Sequence, residues 1–235
     1  AGTYRPAAKY KFKAAIKDGN MVAYHLVGAG VNMGNATREN NFPASTLDHY
    51  LVESHNLESN ITTGAWRAPI TNFLAFAEQS FFDELASELG KDPIQFRLDL
   101  FARAKENPVG ELQYDVDKSV GVIKLAAEKS NWGNAPEGVY QGFSTYYSHN
   151  TYVAEVAEVI MQGNTPVVKR VVCAIDCGIV VNPVGAINQV QGGVIDGIGH
   201  AMYGDFSFEN GQPQTRNFDK YRLIRMKESP EVEVH

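Results

Sequence analysis

Strand-type alternation of hydrophobic and polar residues dominates the first part of the chain. Two alternating runs lie within residues 10–27 and flank Lys17-Asp18-Gly19-Asn20, a turn sequence typical of a β-hairpin. Residues 28–60 are mostly polar and contain a proline, so they predict a loop with one strand near residues 50–53. Residues 1–60 are therefore predicted to be a region of strands and loops.

Hydrophobic residues then recur with the 3.6-residue period of an α-helix. In residues 72–89 the positions that predict one buried helix face are Phe73, Phe76, Ala77, Phe81, Leu85 and Leu89. A second helix is predicted over residues 92–103, because it opens with Asp-Pro-Ile-Gln, a typical helix start. A third is predicted up to about residue 131, with Asp117 as its cap. Residues 61–135 are therefore predicted to be helical.

The last hundred residues return to strands. They are predicted at residues 138–147, 152–161 and 167–175, where Val, Tyr and Thr are frequent, and again at residues 203–208 and 232–235. Gly163-Asn164 predicts a hairpin between two of them, and Asn182-Pro183 predicts the start of a further helix. Residues 136–235 thus combine strands with one helix. Because strands and helices form separate blocks, the pattern favours an α+β fold.

A glycine-rich stretch follows the first hairpin. Gly28 to Gly34 comes after a strand, as the phosphate-binding loop of a dinucleotide site does. That fingerprint requires an apolar helix directly afterwards, whereas residues 35–43 are polar and interrupted by proline. The pattern therefore favours a glycine-rich turn over a nucleotide site.

The predicted helix after Asn182 separates its residues by character. Placed at 100° per residue, one side carries Ile187, Val190, Val194 and Ile198, and the other carries Gly185, Gln189, Gly192, Asp196, Gly199 and His200. Interior glycines cost a helix on the order of 1 kcal/mol each relative to alanine, so they indicate that something approaches the backbone closely. Two interpretations remain: a neighbouring helix or strand, or a polar ligand that Gln189 hydrogen-bonds.

A second candidate site precedes the first long helix, in Trp66-Arg67-Ala68-Pro69. Because residues before proline avoid the helical region, we expect an extended loop here. Arg67 would either bind an anion or carboxylate with its forked guanidinium or form a structural ion pair.

The composition argues against two kinds of partner. The formal net charge is -6 and the lysines and arginines are scattered, so no surface for nucleic acid is predicted. No apolar run approaches the roughly 20 residues that a membrane-spanning helix needs, so no transmembrane segment is predicted.

Five motifs suggest a family. They are residues 64–69 (GAWRAP), 76–86 (FAEQSFFDELA), 90–97 (GKDPIQFR), 171–178 (VVCAIDCG) and 189–193 (QVQGG). In order and spacing they resemble the molybdopterin-binding large subunit of isoquinoline 1-oxidoreductase and related aldehyde dehydrogenases, in the xanthine oxidase family of molybdenum hydroxylases. The resemblance implies that residues 1–235 are part of a molybdopterin-binding domain.

The same resemblance implies a function. A molybdenum cofactor would hydroxylate an aldehyde or N-heteroaromatic substrate with oxygen from water, and a small subunit with [2Fe-2S] clusters would remove the electrons. The cofactor-binding residues would be Trp66, Arg67, Ala68, Gln189, Gly192 and Gly193. The alternative is a non-catalytic scaffold or interaction domain of the same fold without cofactor.

Two elements of the family lie outside the motifs matched here. The family's general base is a glutamate in a Gly-Val-Gly-Glu loop that follows the stretch matching residues 230–235, and a second pterin loop of Gly-Gly-Phe-Gly type lies upstream of the matched region. We therefore expect no catalytic residue in this chain, the remainder of the large subunit as a partner, and no activity of the isolated chain. Cytoplasm and periplasm both remain possible locations.

Overall fold

The fold was analysed in a computed structural model that describes residues 3–64, 67–215, 217 and 219–235. The strands are β1 (Ala8–Lys17), β2 (Asn20–Val31), β3 (His49–Leu57), β4 (Val139–Ser148), β5 (Thr151–Gln162), β6 (Thr165–Asp176), β7 (Phe208–Glu209), β8 (Gln212–Pro213) and β9 (Glu231–Val234). The helices are α1 (Thr71–Glu88), α2 (Pro93–Glu106), α3 (Val116–Lys129) and α4 (Pro183–Met202). The predicted α+β class is confirmed.

The chain divides into two compact units, which are described separately. The first unit comprises Ala1–Gly121 and Thr145–Tyr152, and the second comprises Val122–Ser144 and Val153–His235. No helix in the described part of the chain has the length and apolar composition needed to cross a bilayer.

A three-stranded sheet in the order β1-β2-β3 opens the first unit. β1 and β2 are antiparallel, and their turn places Asp18 and Gly19 at φ 51° and 70°, so the predicted hairpin is confirmed. The strand predicted near residues 50–53 is also present, as β3. It pairs in parallel with β2, which the sequence pattern did not indicate.

The buried face of α1 differs from the predicted one. Its buried residues are Thr71, Leu74, Glu78, Gln79, Phe82 and Ala86. Phe76, which was predicted to be buried, is 72% exposed. The prediction was wrong because it counted only apolar residues, whereas the buried stripe includes three polar side chains, Thr71, Glu78 and Gln79, that find hydrogen-bond partners.

The starts of α2 and α3 test the two predicted caps. Asp92 accepts a hydrogen bond from the backbone N–H of Gln95 at 2.8 Å, which confirms the first cap. Asp117 was the wrong residue for the second. Asp115 accepts from the N–H of Lys118 instead, because α3 begins at Val116 and so includes Asp117.

A four-stranded sheet has the order β4-β5-β6-β9, and Gly163-Asn164 connects β5 to β6 as predicted. β9 lies parallel to β6. The strand predicted over residues 203–208 was wrong. The backbone N–H groups of Tyr203 and Gly204 both donate to the carbonyl of Gly199, so the end of α4 takes up the start of that segment.

The glycine-rich stretch lies largely inside β2, and no helix follows it before β3. A Cβ atom at Gly28 would lie 2.5 Å from Thr37 Cγ2 and 3.1 Å from the ring of Tyr10. Close packing within the first unit therefore explains this glycine, and the dinucleotide-binding alternative is contradicted.

Candidate functional site

α4 begins as its sequence predicts. Asn182 caps the helix by accepting a hydrogen bond from the N–H of Gly185 at 3.0 Å, and Pro183 occupies the first helical position. The cap fixes where the helix starts.

One side of α4 packs within the second unit. Val194 is the buried residue of the helix, and Val190 and Ile198 are half-buried beside it. Gln191 donates a hydrogen bond from Nε2 to the carbonyl oxygen of Val232 in β9, at 3.1 Å. This side contains three of the four residues of the predicted apolar half, while the fourth, Ile187, is 40% exposed. The glycine-bearing side faces outward.

The outward side is an exposed glycine face. Gln189, Gly192 and Gly193 are all exposed, and they lie together within one turn of α4. A Cβ atom built on either glycine would have no heavy atom within 4 Å outside the helix backbone itself. Gly199 is different, because its Cβ would lie 3.1 Å from Ile224 Cγ2. A neighbouring segment therefore explains Gly199, but packing within the described part of the chain does not explain Gly192 and Gly193.

Polar side chains continue this face toward the end of the helix. Asp196 and His200 lie one turn apart, with 3.6 Å between Asp196 Oδ1 and His200 Nε2. A ligand on the glycine face would meet a carboxamide, a carboxylate and an imidazole along one edge. In the described residues, no group of three or more His, Cys, Asp and Glu side chains could hold a metal ion directly.

The second candidate site lies in the first unit, and the structure describes part of it. Trp66 lies outside the described residues. Arg67 and Ala68 are exposed in a bend, where Ala68 and Ile70 have φ of 56° and 68°. The expected extended conformation was wrong. The carbonyl of Ala68 accepts hydrogen bonds from the backbone N–H of Asn72 and from Thr71 Oγ1, which requires a tight turn.

Two side chains that the sequence analysis missed hold this loop. Asn72 donates from Nδ2 to the carbonyl of Arg67 at 3.2 Å. Arg38 approaches the carbonyl of Pro69 with Nη2 at 3.4 Å. The position of Asn72 just inside a helix start was a usable signal, since asparagine often bonds backbone groups there.

A buried carboxyl group was also missed. Glu78 Oε1 accepts a 2.8 Å hydrogen bond from the hydroxyl of Tyr24, and its Oε2 accepts one of 3.2 Å from Tyr146. Burial raises the pKa of Glu78 to about 8, although these two hydrogen bonds act in the opposite direction. The available signal was spacing, because Glu78 lies four residues from both Leu74 and Phe82 on the buried stripe.

Stability should therefore depend on pH through Glu78. The folded chain keeps this proton up to about pH 8 while the unfolded chain releases it near 4.5, so stability falls as pH rises across that window. Between pH 6 and pH 8, the free energy of unfolding of the wild type should fall by roughly 2 kcal/mol more than that of Glu78→Gln. Urea unfolding at both values measures this, with Glu84→Gln on the exposed side of α1 as the control. An equal pH dependence in wild type and Glu78→Gln would refute the assignment.

Comparison with known proteins finds a matching family model and several relatives. Residues 84–230 match the model of the molybdopterin cofactor-binding domain. The chain is 33% identical over 165 residues to the beta chain of isoquinoline 1-oxidoreductase from Brevundimonas diminuta, covering 68% of the chain and 20% of that relative. It is 25% identical over 234 residues to a nicotinate dehydrogenase subunit of Pseudomonas putida, covering 90% and 18%. The chain thus spans about a fifth of the length of these relatives.

Solved structures show the same fold. The aldehyde oxidoreductase from Desulfovibrio desulfuricans superposes with a TM-score of 0.72 at 10% identity, over 99% of this chain and 43% of that one. Quinoline 2-oxidoreductase from Pseudomonas putida superposes with a TM-score of 0.70 at 12% identity, over 99% and 55%. The matched family region contains Gln189, Gly192 and Gly193 but not Arg67.

Proposed function

Since the chain belongs to the family of molybdopterin cofactor-binding domains, we propose that it forms part of the cofactor site of a molybdenum-dependent oxidoreductase. The relatives and the fold agree with the resemblance seen in its motifs. The observation that carries the proposal is the exposed glycine face of α4. Nothing in the described part of the chain packs against these glycines, so the helix backbone is open to a ligand there.

The residues of this face fit a large polar cofactor. Gly192 and Gly193 have no side chains, so a ligand can approach the helix backbone. Each glycine costs the helix on the order of 1 kcal/mol relative to alanine, and a bound ligand would compensate for a cost that packing within the described chain does not offset. Gln189 places a carboxamide with both donor and acceptor groups at the same turn.

The roles of the individual residues are proposed from the family resemblance. We assign Gln189 the hydrogen bond to an oxygen ligand of the metal, and Gly192 and Gly193 the close contact with the cofactor. Trp66, Arg67 and Ala68 would contact the pterin, Ala68 through its backbone. When bound, the cofactor would supply a two-electron acceptor for hydroxylating a carbon atom with oxygen from water. We assign no residue of this chain to general-base catalysis.

Substrate and partners are assigned by class. The relatives' names include an isoquinoline oxidoreductase, a nicotinate dehydrogenase and an aldehyde dehydrogenase. We therefore propose an aldehyde or an N-heteroaromatic compound as substrate. The remainder of a large subunit would complete the site, and a small subunit with [2Fe-2S] clusters would accept the electrons.

Two neighbouring glutamines provide the test. In the protein purified at full length with its partners, Gln189→Ala should lower molybdenum and pterin content roughly tenfold, as loss of a residue that supports a metal's ligands does. Gln191→Ala should keep its cofactor and instead lose about 1 kcal/mol of stability, because Gln191 bonds Val232 in β9. Metal analysis, pterin fluorescence and urea unfolding measure these effects.

The two variants should therefore separate cofactor loading from stability. Equal molybdenum and pterin in wild type and Gln189→Ala would remove Gln189 from the cofactor site. A well-folded wild-type protein without molybdenum would favour the scaffold.

A further inference from the structure

The loop at residues 67–70 adopts an unfavourable backbone conformation. Ala68 and Ile70 both have positive φ, and a left-handed conformation is rare for a β-branched residue such as isoleucine. Ile70 stands directly before α1, where no side chain caps the helix. Such a conformation persists only where surrounding groups hold it, and in folded proteins it is concentrated at binding and catalytic sites.

Asn72 is the residue that holds two consecutive carbonyl groups of this loop. Its backbone N–H donates to the carbonyl of Ala68 at 3.1 Å, and its Nδ2 donates to the carbonyl of Arg67 at 3.2 Å. Thr71 Oγ1 gives the Ala68 carbonyl a second donor, also at 3.1 Å. The direction in which the Arg67 carbonyl points is therefore set by the Asn72 carboxamide.

The oxygen atom of that carboxamide has no hydrogen-bond partner among the described residues. Asn72 Oδ1 is buried and accepts no hydrogen bond in the described part of the chain. Exchanging the oxygen and nitrogen positions would not help, since it would place two oxygens together at the Arg67 carbonyl. A buried acceptor without a donor is unfavourable and rare in folded proteins, so its presence calls for a specific cause.

Arg38 also contacts a carbonyl group of this loop and also has a buried polar atom without a partner among the described residues. It reaches the Pro69 carbonyl with Nη2, while its Nε is buried and lacks an acceptor among the described residues. Two side chains thus hold neighbouring carbonyls of one loop, and each keeps one buried polar atom unpaired. The loop is held by side chains that each have one further buried polar atom able to take a partner.

We propose that Asn72 is a positioning residue for cofactor binding, which sets the conformation of the 67–70 loop and whose Oδ1 gains its hydrogen-bond donor when the cofactor binds. This inference rests on the proposed function. It extends that function to a side chain outside the family motif that contains Arg67. Asn72 acts through the backbone of Arg67 and Ala68, not on the substrate.

Hydrogen-deuterium exchange of the 235-residue chain tests the positioning role without any cofactor. In Asn72→Ala, amides of residues 67–74 should exchange roughly five- to tenfold faster than in wild type, as expected for loss of one hydrogen bond. Asn72→Asp should behave alike, because a carboxylate cannot donate to the Arg67 carbonyl. Asn41→Ala is the matched control, since Asn41 donates to the carbonyl of Tyr147 at 3.0 Å, and it should leave these amides unchanged.

Cofactor retention in the full-length protein tests the proposed link between Asn72 and cofactor binding. Both Asn72 variants should retain several-fold less molybdenum and pterin than wild type and than Asn41→Ala. Unchanged exchange in Asn72→Ala would overturn the positioning role alone, and unchanged retention would overturn the link to the cofactor. Wild-type protein without molybdenum would overturn the proposed function and the link between Asn72 and the cofactor. The exchange experiment would still decide the positioning role.

Discussion

Replacing Gly192 with leucine should make the chain slightly more stable and at the same time prevent the full-length protein from loading its cofactor. Leucine is a better helix former than glycine, so the free energy of unfolding should rise by about 0.5 to 1 kcal/mol. A Cβ atom at this position would have no heavy atom of the described chain within 4 Å outside the helix backbone. It would, however, occupy the face on which we place the cofactor, so molybdenum content should fall at least roughly tenfold.

Gly121→Leu is the control for this substitution. Gly121 is also an exposed helical glycine, in α3, and a Cβ there likewise has nothing within 4 Å. It should give the same gain in stability with full molybdenum content. Unfolding in urea and metal analysis compare the two variants. If Gly192→Leu were stable and fully loaded, the glycine face would not be the cofactor surface.

The second large effect is expected from Arg97 in α2, whose side chain is fully buried. Its guanidinium donates to Gln79 Oε1 and to Asp83 Oδ1, each at 2.8 Å, and to the carbonyl of Pro93 at 2.8 Å. Arg97→Ala would remove these hydrogen bonds together and open a cavity between α1 and α2. We expect the free energy of unfolding to fall by about 3 to 5 kcal/mol, which is a large part of the stability of an ordinary domain.

Lys105→Ala provides the contrast within the same helix. Lys105 pairs with Asp117, but their side chains are 60% and 73% exposed, so this ion pair should contribute less than about 1 kcal/mol. Urea unfolding of the chain measures both losses. Similar losses for Arg97→Ala and Lys105→Ala would mean that the buried network does not stabilise the first unit.

Features encoded by neighbouring residues were predictable from the sequence. The β1-β2 hairpin follows from Asp18-Gly19, and the starts of α2 and α4 follow from an Asp or Asn directly before a proline. Part of the glycine face of α4 could be predicted as well, because helix periodicity alone places Gln189 beside Gly192. Local hydrogen bonds and backbone preferences determine each of these features.

Features that depend on distant residues were not predictable in this way. Glu78 can be buried in α1 only because hydroxyl groups arrive from Tyr24 in β2 and Tyr146 in β4. The turn at Ala68 has a local cause that the prediction did not consider: donors from Thr71 and Asn72, three and four residues later, outweigh the extended preference of a residue before proline. A local pattern also could not choose between Asp115 and Asp117, since both lie at positions suited to a helix cap.

The most direct test of the central claim is to locate the metal. Crystals of the full-length protein, measured at the molybdenum absorption edge, would show its position as an anomalous peak. The account predicts a peak beside the exposed face of α4, with the Gln189 carboxamide oriented toward a ligand of the metal and Gly192 and Gly193 against the cofactor. A peak remote from α4, or well-folded crystals without molybdenum, would contradict it.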